Sequence, residues 1–404
     1  MKKAEELLKK YNQEHIIPYL EKNGELEKQV LKIDFEELNK LCLKARNLGV
    51  EALENIEPIN AINPDKLSQN EKEVLIKRGA EIISKNKLAV VTMAGGQGTR
   101  LGHIGPKGTF KINIGNSEKY LFQILAENLI REGKKYGVTI PWYIMTSKEN
   151  NQDTVNFLKE NEYFNYPKSE LFVFIQEEMP LITTEGKLII EDGLIKEASN
   201  GNGSIFASME KTEVIKDMDK REIEWIFIGS VDNILLQMVD PLLIGVTLKD
   251  GSYAASKTIL KNAPNEKVGV FCKENGKVRV IEYTELPEKL STELNKHGEL
   301  LYGESHIMCN LFNIQALKRA ATQEMQYHIA TKNIEGLACY KFEKFIFDAF
   351  NMFEHISILR GKREVDFAPI KNKEGVDSPK TAVELYKNYW GIWLQKDVEI
   401  WYII

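Results

Sequence analysis

The chain has 404 residues, 43% hydrophobic and 28% charged, with a formal net charge of −5. That is the ordinary globular class, long enough for about two or three domains and a sizeable core. The acidic balance excludes broad, sequence-independent nucleic-acid binding, which needs a basic surface, but leaves room for a few Lys and Arg to converge on a small anion.

The opening segment MKKAEELLKKYNQEH is charged throughout, without the apolar core of a signal peptide, and no apolar run reaches membrane-spanning length. A cytoplasmic protein with no membrane partner is expected. To about Asn86 the pattern is helical. Leu7, Leu8, Tyr11, Ile16, Tyr19 and Leu20 recur on one face. Asp34 is an N-cap for FEELNKLCLKARN, with Leu38, Leu41 and Leu43 inward. A stretch rich in Asn, Pro and Ile interrupts before a helix from about Ser68. Nothing here carries recognisable chemistry, and residues 1–86 read as an N-terminal helical section.

At Lys87 the texture changes. LAVVTMA, from Leu88, is a continuous apolar run ending in glycines, the look of a parallel strand buried on both faces. Tyr120 to Gly137 follows as a helix with a glycine stop, and PWYIMTS as the next strand, completing a βαβ unit. LFVFIQ and WIFIGSVDN are further buried strands. Near Val268 the pattern turns antiparallel: VGVFCK and KVRVIEY flank Glu274-Asn275-Gly276, a strong hairpin signal. The predicted architecture is a Rossmann-like α/β core, a mixed sheet flanked by helices, over 87–360, with a small C-terminal domain over 361–404. The four cysteines, Cys42, Cys272, Cys309 and Cys339, are scattered, so reduced thiols are expected rather than disulfides or a zinc site.

The central motif is MAGGQGTRLGHIGPKG, directly after the first buried strand. Gly95, Gly96 and Gly98 let the backbone approach a ligand with N–H groups facing phosphate oxygens. Arg100 and Lys107 add two cations, which makes a polyphosphate cradle. A P-loop is excluded because His103 and Ile104 follow Gly102. A dinucleotide fingerprint is excluded because Gly96-Gln97-Gly98 leads to Leu101. The bland alternative is a flexible turn with solvated charges; the preceding strand and the Pro-Lys pair argue against it.

AGGQGTRLG followed by PKG resembles the signature loop of the UDP-sugar pyrophosphorylases, most closely the eukaryotic N-acetylglucosamine branch. QEEMPLI, SNGNGSIF, GSVDN, VIEYTEL, CNLF, MQYHIATKNI, YKFEKFIFD and FAPIKN resemble further family segments in the same order, from about residue 88 to about 390. The resemblance implies a nucleotidyltransferase that uses Mg²⁺, with Mn²⁺ as the alternative metal. Its substrates would be UTP and a sugar 1-phosphate.

Several residues then acquire expected roles. Asp232 ends a predicted strand, where α/β sheets bind ligands, and a carboxylate there can hold Mg²⁺ against phosphates; taken alone it reads equally well as a turn or cap. The resemblance implies that Ala94, Gly95, Gly96, Gly98 and Thr99 line the nucleotide, with Gln176 on the uracil edge and Gly201 by the uridine. It implies sugar contacts for Asn202, Glu282, Tyr283 and Asn310. Lys341 and Lys371 would reach phosphates, with Lys344 a nearby competitor for Lys341. Read alone, the lysines are solvated charges, the Asn200–Gly203 stretch is a turn, and Glu282 and Tyr283 sit on the second hairpin strand. The expected chemistry is in-line attack of the sugar phosphate on the α-phosphorus of UTP, with Arg100, Lys107 and Lys371 neutralising charge. A UDP-glucose or broad UDP-sugar enzyme is the rival within the class, and a non-catalytic nucleotide-sugar sensor the rival outside it.

Overall fold

The computed structural model describes residues 1–401 except 22, 48–52, 54, 116 and 335, with side chains described as far as residue 391. Contacts divide the chain into two units. One comprises Met1–Leu53, Gln176–Ile205 and Glu324–Asp348; the other comprises Glu54–Ile175, Phe206–Gln323 and Ala349–Ile404.

The larger unit is built on a ten-stranded mixed sheet. Its strands are β1 (Ile56–Pro58), β2 (Leu88–Met93), β3 (Trp142–Thr146), β4 (Leu171–Ile175), β5 (Trp225–Ser230), β6 (Ala254–Leu260), β7 (Val270–Glu274), β8 (Lys277–Ile281), β9 (Glu304–Asn313) and β10 (Ser357–Arg360). The order is β1-β7-β9-β5-β2-β3-β4, with β6 joined to β9 and β10, and β8 to β7. From β5 to β4 the pairing is parallel, as the uninterrupted apolar runs predict. Every residue of β2 is buried. The helix Leu121–Tyr136 ends where Gly137 turns left-handed, at φ 69°, which a residue with a side chain would resist. In the β7–β8 hairpin, Glu274 pairs with Lys277 across Asn275 (φ 50°) and Gly276 (φ 78°), the positive φ pair of a tight hairpin turn.

Three expectations need correction here. β8 stops at Ile281, because the amides of Glu285 and Leu286 turn back to the carbonyl of Glu282 at 2.9 and 3.1 Å; Glu282 and Tyr283 therefore lie in the turn, not on the strand. Residues 361–391 form no core of their own: Phe367, Ala368, Ile370, Ala382 and Tyr386 pack into the main core, and 402–404 lie outside the described residues. The section 1–86 is split too, since β1 and the helix Gln69–Ser84 belong to the sheet unit.

In the smaller unit, the helices Lys2–Lys10, Gly24–Lys32 and Phe35–Arg46 supply Leu8, Leu26, Val30, Phe35 and Leu38 to a core shared with Ile182, Leu188, Ile195, Tyr340 and Phe342. Asp34 caps its helix as expected, through Glu37 N–H at 2.9 Å, but Leu43 is 50% exposed rather than inward. Two glutamines satisfy backbone groups of the 186–195 stretch. Gln13 accepts from Leu188 N–H (2.9 Å) and donates to Gly186 O (2.8 Å); Gln29 accepts from Ile195 N–H (2.9 Å). The segments from Gln176 to Ile205 and Glu324 to Asp348 thus rest on the N-terminal helices. A three-stranded sheet of Ile182–Thr183, Leu337–Glu343 and His328–Ile334 holds them together, outside the main sheet although within the 87–360 span expected to form one α/β core.

Candidate active site

The glycine loop leaves β2 under tight control. Ala94 N–H donates to Met145 O at 2.8 Å, at the end of β3. Asn150, fully buried, donates through Nδ2 to the carbonyls of Ala94 (3.0 Å) and Gly96 (3.4 Å). The loop also folds on itself, with Lys107 N–H on Gly96 O and Gly98 N–H on Gly105 O, both at 3.0 Å. The His103 ring fills the space beside Gly98, where a Cβ would sit 2.7 Å from it, and its Nε2 lies 2.8 Å from Thr109 Oγ1. Gly96, Thr99 and Arg100 are exposed, and nothing lies within 4 Å of where a Gly96 Cβ would be. The loop is therefore rigidly held from beneath and open on its outer side.

Lys107 reaches from this loop to Asp232, Nζ to Oδ2 at 2.9 Å, with 11% and 19% of the two side chains exposed. Asp232 follows β5, and the Val231 N–H is bonded to Met93 O at 3.1 Å, so the loop and the acid leave neighbouring parallel strands at their carboxyl ends. The segment 367–371 is stapled beside them. Asn233 accepts from Ala368 N–H (2.8 Å) and donates to Asp366 O (2.7 Å), while Ile370 N–H donates to Asp232 O (2.9 Å). Lys371 is thereby brought into the field of Asp232 and also faces Asp377 at 3.4 Å. Burial would raise the Asp232 carboxyl, but Lys107 and Lys371 outweigh burial and hold it below the usual carboxylate range. It is ionised at neutral pH. Beneath lies a second ion cluster: buried Lys257 pairs with Asp366 (2.7 Å) and with Asp240, which caps the helix Pro241–Asp250. Burial opposes the Lys257 charge, yet the two aspartates raise its pKa well above the ordinary value.

Of the expected sugar contacts in this unit, Tyr283 is 44% exposed and Glu282 is half-buried, with Oε1 only 3.3 Å from where a Gly269 Cβ would be. Gly269 O accepts the backbone N–H of His306 at 2.9 Å. Asn310 is fully buried on β9. Its Oδ1 lies 3.0 Å from Ser256 Oγ and 2.9 Å from His306 Nε2, and its Nδ2 has no protein partner.

The remaining expected residues belong to the smaller unit. Gln176 is 7% exposed. Gly201 has φ 80° and ψ 167°, a conformation reserved for glycine, and a Cβ there would sit 2.3 Å from Lys344 O. Lys344 N–H donates to Asn200 O (2.9 Å), Gly203 N–H to Lys344 O (2.8 Å) and Ile346 N–H to Asn202 Oδ1 (2.8 Å). Asn202 is thus committed through Oδ1 to the backbone of 346. Lys341 pairs with Glu343 at 2.8 Å, while Lys344 lies over the Tyr327 ring at 4.5 Å.

Asn150 and Asn233 escaped the sequence reading. Each is a buried amide that splints backbone rather than facing a ligand. Their local signals were a Ser147–Asn150 reciprocal turn (2.9 and 3.2 Å) and the residue after the strand-end acid; neither spacing is distinctive.

A parallel-stranded α/β sheet carrying a glycine loop and an acid at the carboxyl ends of adjacent strands is the arrangement of a nucleotide-binding enzyme. Comparison with known proteins narrows this. Residues 33–378 match the family described as UTP–glucose-1-phosphate uridylyltransferase. UDP-N-acetylglucosamine diphosphorylase 1 of Arabidopsis thaliana is 33% identical over 408 residues, covering 93% of this chain and 81% of that one. UDP-N-acetylglucosamine pyrophosphorylase of Saccharomyces cerevisiae is 34% identical over 387 residues, covering 88% and 79%. The crystal structure of the Trypanosoma brucei uridine diphosphate N-acetylglucosamine pyrophosphorylase superposes with a TM-score of 0.82 at 28% identity, covering 94% and 83%. The chain belongs to this uridylyltransferase family and is a nucleotidyltransferase.

A divalent cation fits the donor set. Among the described residues no group of three or more His, Cys, Asp or Glu side chains converges to hold a metal. Mg²⁺ does not need such a cage, since it takes one or two carboxylates and completes its shell with water and substrate phosphates. Asp232 supplies one ionised carboxylate beside the glycine loop. No helix among the described residues is long and apolar enough to cross a membrane.

Proposed function

We propose that the chain transfers a uridylyl group from UTP to N-acetylglucosamine 1-phosphate, giving UDP-N-acetylglucosamine and pyrophosphate. The observation that carries the reading is the gathering of Lys107, Asp232 and Lys371 beside an open glycine loop. The names of the relatives supply the sugar.

An oxygen of the sugar 1-phosphate attacks the α-phosphorus of UTP, and the bond from that phosphorus to the β-phosphate bridging oxygen breaks. The attacking group is already ionised, so no general base is required. The work is positioning and charge neutralisation. Loop N–H groups and Arg100 hold the β and γ phosphates. Lys107 exchanges its Asp232 partner for phosphate oxygens at the α position, and Lys371 steers the sugar phosphate. Asp232 would hold a divalent ion, which would supply charge neutralisation at the phosphates. Gln176 and Gly201 are assigned to uridine, Asn202, Glu282, Tyr283 and Asn310 to the sugar, and Lys341 to a phosphate, on the family resemblance.

The test is pyrophosphate release in Mg²⁺ with UTP and a panel of sugar 1-phosphates. N-acetylglucosamine 1-phosphate is expected to give the highest kcat/KM. Preference for glucose 1-phosphate would move the assignment to the rival sugar. Binding of UTP and sugar phosphate without pyrophosphate release would overturn catalysis.

A further inference from the structure

His306 is a buried titratable residue with no role in the chemistry above, and it touches a sugar-assigned amide whose nitrogen is buried with no protein partner. Asn310 sits at the centre of β9, opposite Ile228 of β5 and Ser256 of β6. Its Oδ1 is engaged twice, by Ser256 Oγ at 3.0 Å and His306 Nε2 at 2.9 Å, while Nδ2 is buried and unpartnered. The His306 ring is itself held edge-on between Phe271 and Phe350, with centroids at 5.4 and 6.3 Å. Its backbone N–H donates to Gly269 O, and Glu282 Oε1 lies beside that same glycine. A carboxamide gripped at its oxygen cannot rotate, so its nitrogen points one way as a donor. Burial pushes the imidazole pKa down to about 4, with the Asn310 contact pulling it back only in part, so the ring is neutral under working conditions. A neutral ring that donates through Nε2 is one fixed tautomer.

We propose that His306, with Ser256, is a positioning pair that locks the Asn310 amide so that Nδ2 is presented to an acceptor oxygen of the sugar. The pair sets sugar affinity without touching the transferred phosphate. The inference rests on the sugar role proposed for Asn310. In physical terms, a buried donor left without a partner is costly, and the bound sugar completes it.

Steady-state kinetics of the full chain in Mg²⁺ test this, with UTP and N-acetylglucosamine 1-phosphate varied in turn. His306→Leu is expected to raise KM for the sugar 1-phosphate about tenfold, the order of one buried hydrogen bond, with KM for UTP unchanged. His306→Gln keeps a donor at similar reach and is expected to recover most of the loss. Ser256→Ala is expected to raise the same KM about threefold. In an Asn310→Ala background, His306→Leu is expected to add nothing, because the two act as a unit. Should His306→Leu not fold, Ser256→Ala, alone and in the Asn310→Ala background, carries the test. Wild-type sugar KM in His306→Leu and Ser256→Ala, or effects that simply add to Asn310→Ala, would overturn the inference and leave Nδ2 a buried water site only. A wild-type chain inactive with every sugar 1-phosphate overturns the activity and the inference together; an active chain with unmoved variants overturns the inference alone.

Discussion

The loop after β2 and the loop at residues 199–204 both depend on glycine, for opposite reasons. At Gly96 the backbone φ is ordinary and the space around it is empty. Glycine there leaves the outer side of the loop open. At Gly201 the backbone is left-handed and the neighbouring chain at Lys344 occupies the volume of a side chain. Glycine there is required by the fold itself. A glycine motif in a sequence therefore says that something approaches closely, and only the structure says whether that thing is substrate or protein.

The loop after β2 lies beside buried charge, and the largest predicted effect there is on stability. Lys257→Ala leaves Asp240 and Asp366 as two buried carboxylates without their cation. It is expected to cost about 3–5 kcal/mol in urea unfolding, and to loosen the 367–371 segment that carries Lys371. Asp232→Asn is expected to lower turnover about 10²- to 10³-fold while tightening UTP binding measured without metal, because Lys107 and Lys371 lose their internal competitor. Looser metal-free binding would break the picture of one acid shared between the lysines and the ion.

Acid sensitivity extends the comparison to the sugar-side residues. The His306 pKa falls from 6.5 to about 4 on folding. The unfolded chain then takes up a proton that the native chain refuses, so this contribution is complete above pH 6.5 and is lost as pH falls towards 4. Its size is on the order of 3 kcal/mol. His306→Gln is expected to remove that slope between pH 6.5 and 4, read as the urea midpoint against pH. An unchanged slope would contradict a buried neutral ring. The smallest effects separate the two glycines directly. Gly201→Ala is expected to destabilise by about 2 kcal/mol or more from backbone strain. Gly96→Ala is expected to leave the melting temperature unchanged and to lower only turnover.

The difference also explains what could be read without coordinates. The parallel strands, the hairpin at Asn275-Gly276 and the stop at Gly137 were legible because each is encoded by adjacent residues. The place of Asp232 after the end of β5 was legible because it closes a continuous apolar run. Asn150, Asn233, Gln13 and Gln29 were not, since each satisfies backbone far away in sequence and leaves no local pattern. The division of the chain was hidden for the same reason. Residues 1–53 share their core with Ile182, Ile195 and Phe342, and no composition shift marks that union. The turn after Ile281 was misread because KVRVIEY stays rich in β-branched and aromatic residues past the point where backbone pairing stops.

The most direct test of the phosphate cradle is pyrophosphate release by Lys107→Ala at saturating UTP and N-acetylglucosamine 1-phosphate in Mg²⁺, with the melting temperature followed alongside. A folded protein with turnover reduced about 10²- to 10³-fold is expected. A folded variant that releases pyrophosphate at the wild-type rate would contradict the assignment of this loop to the reacting phosphates.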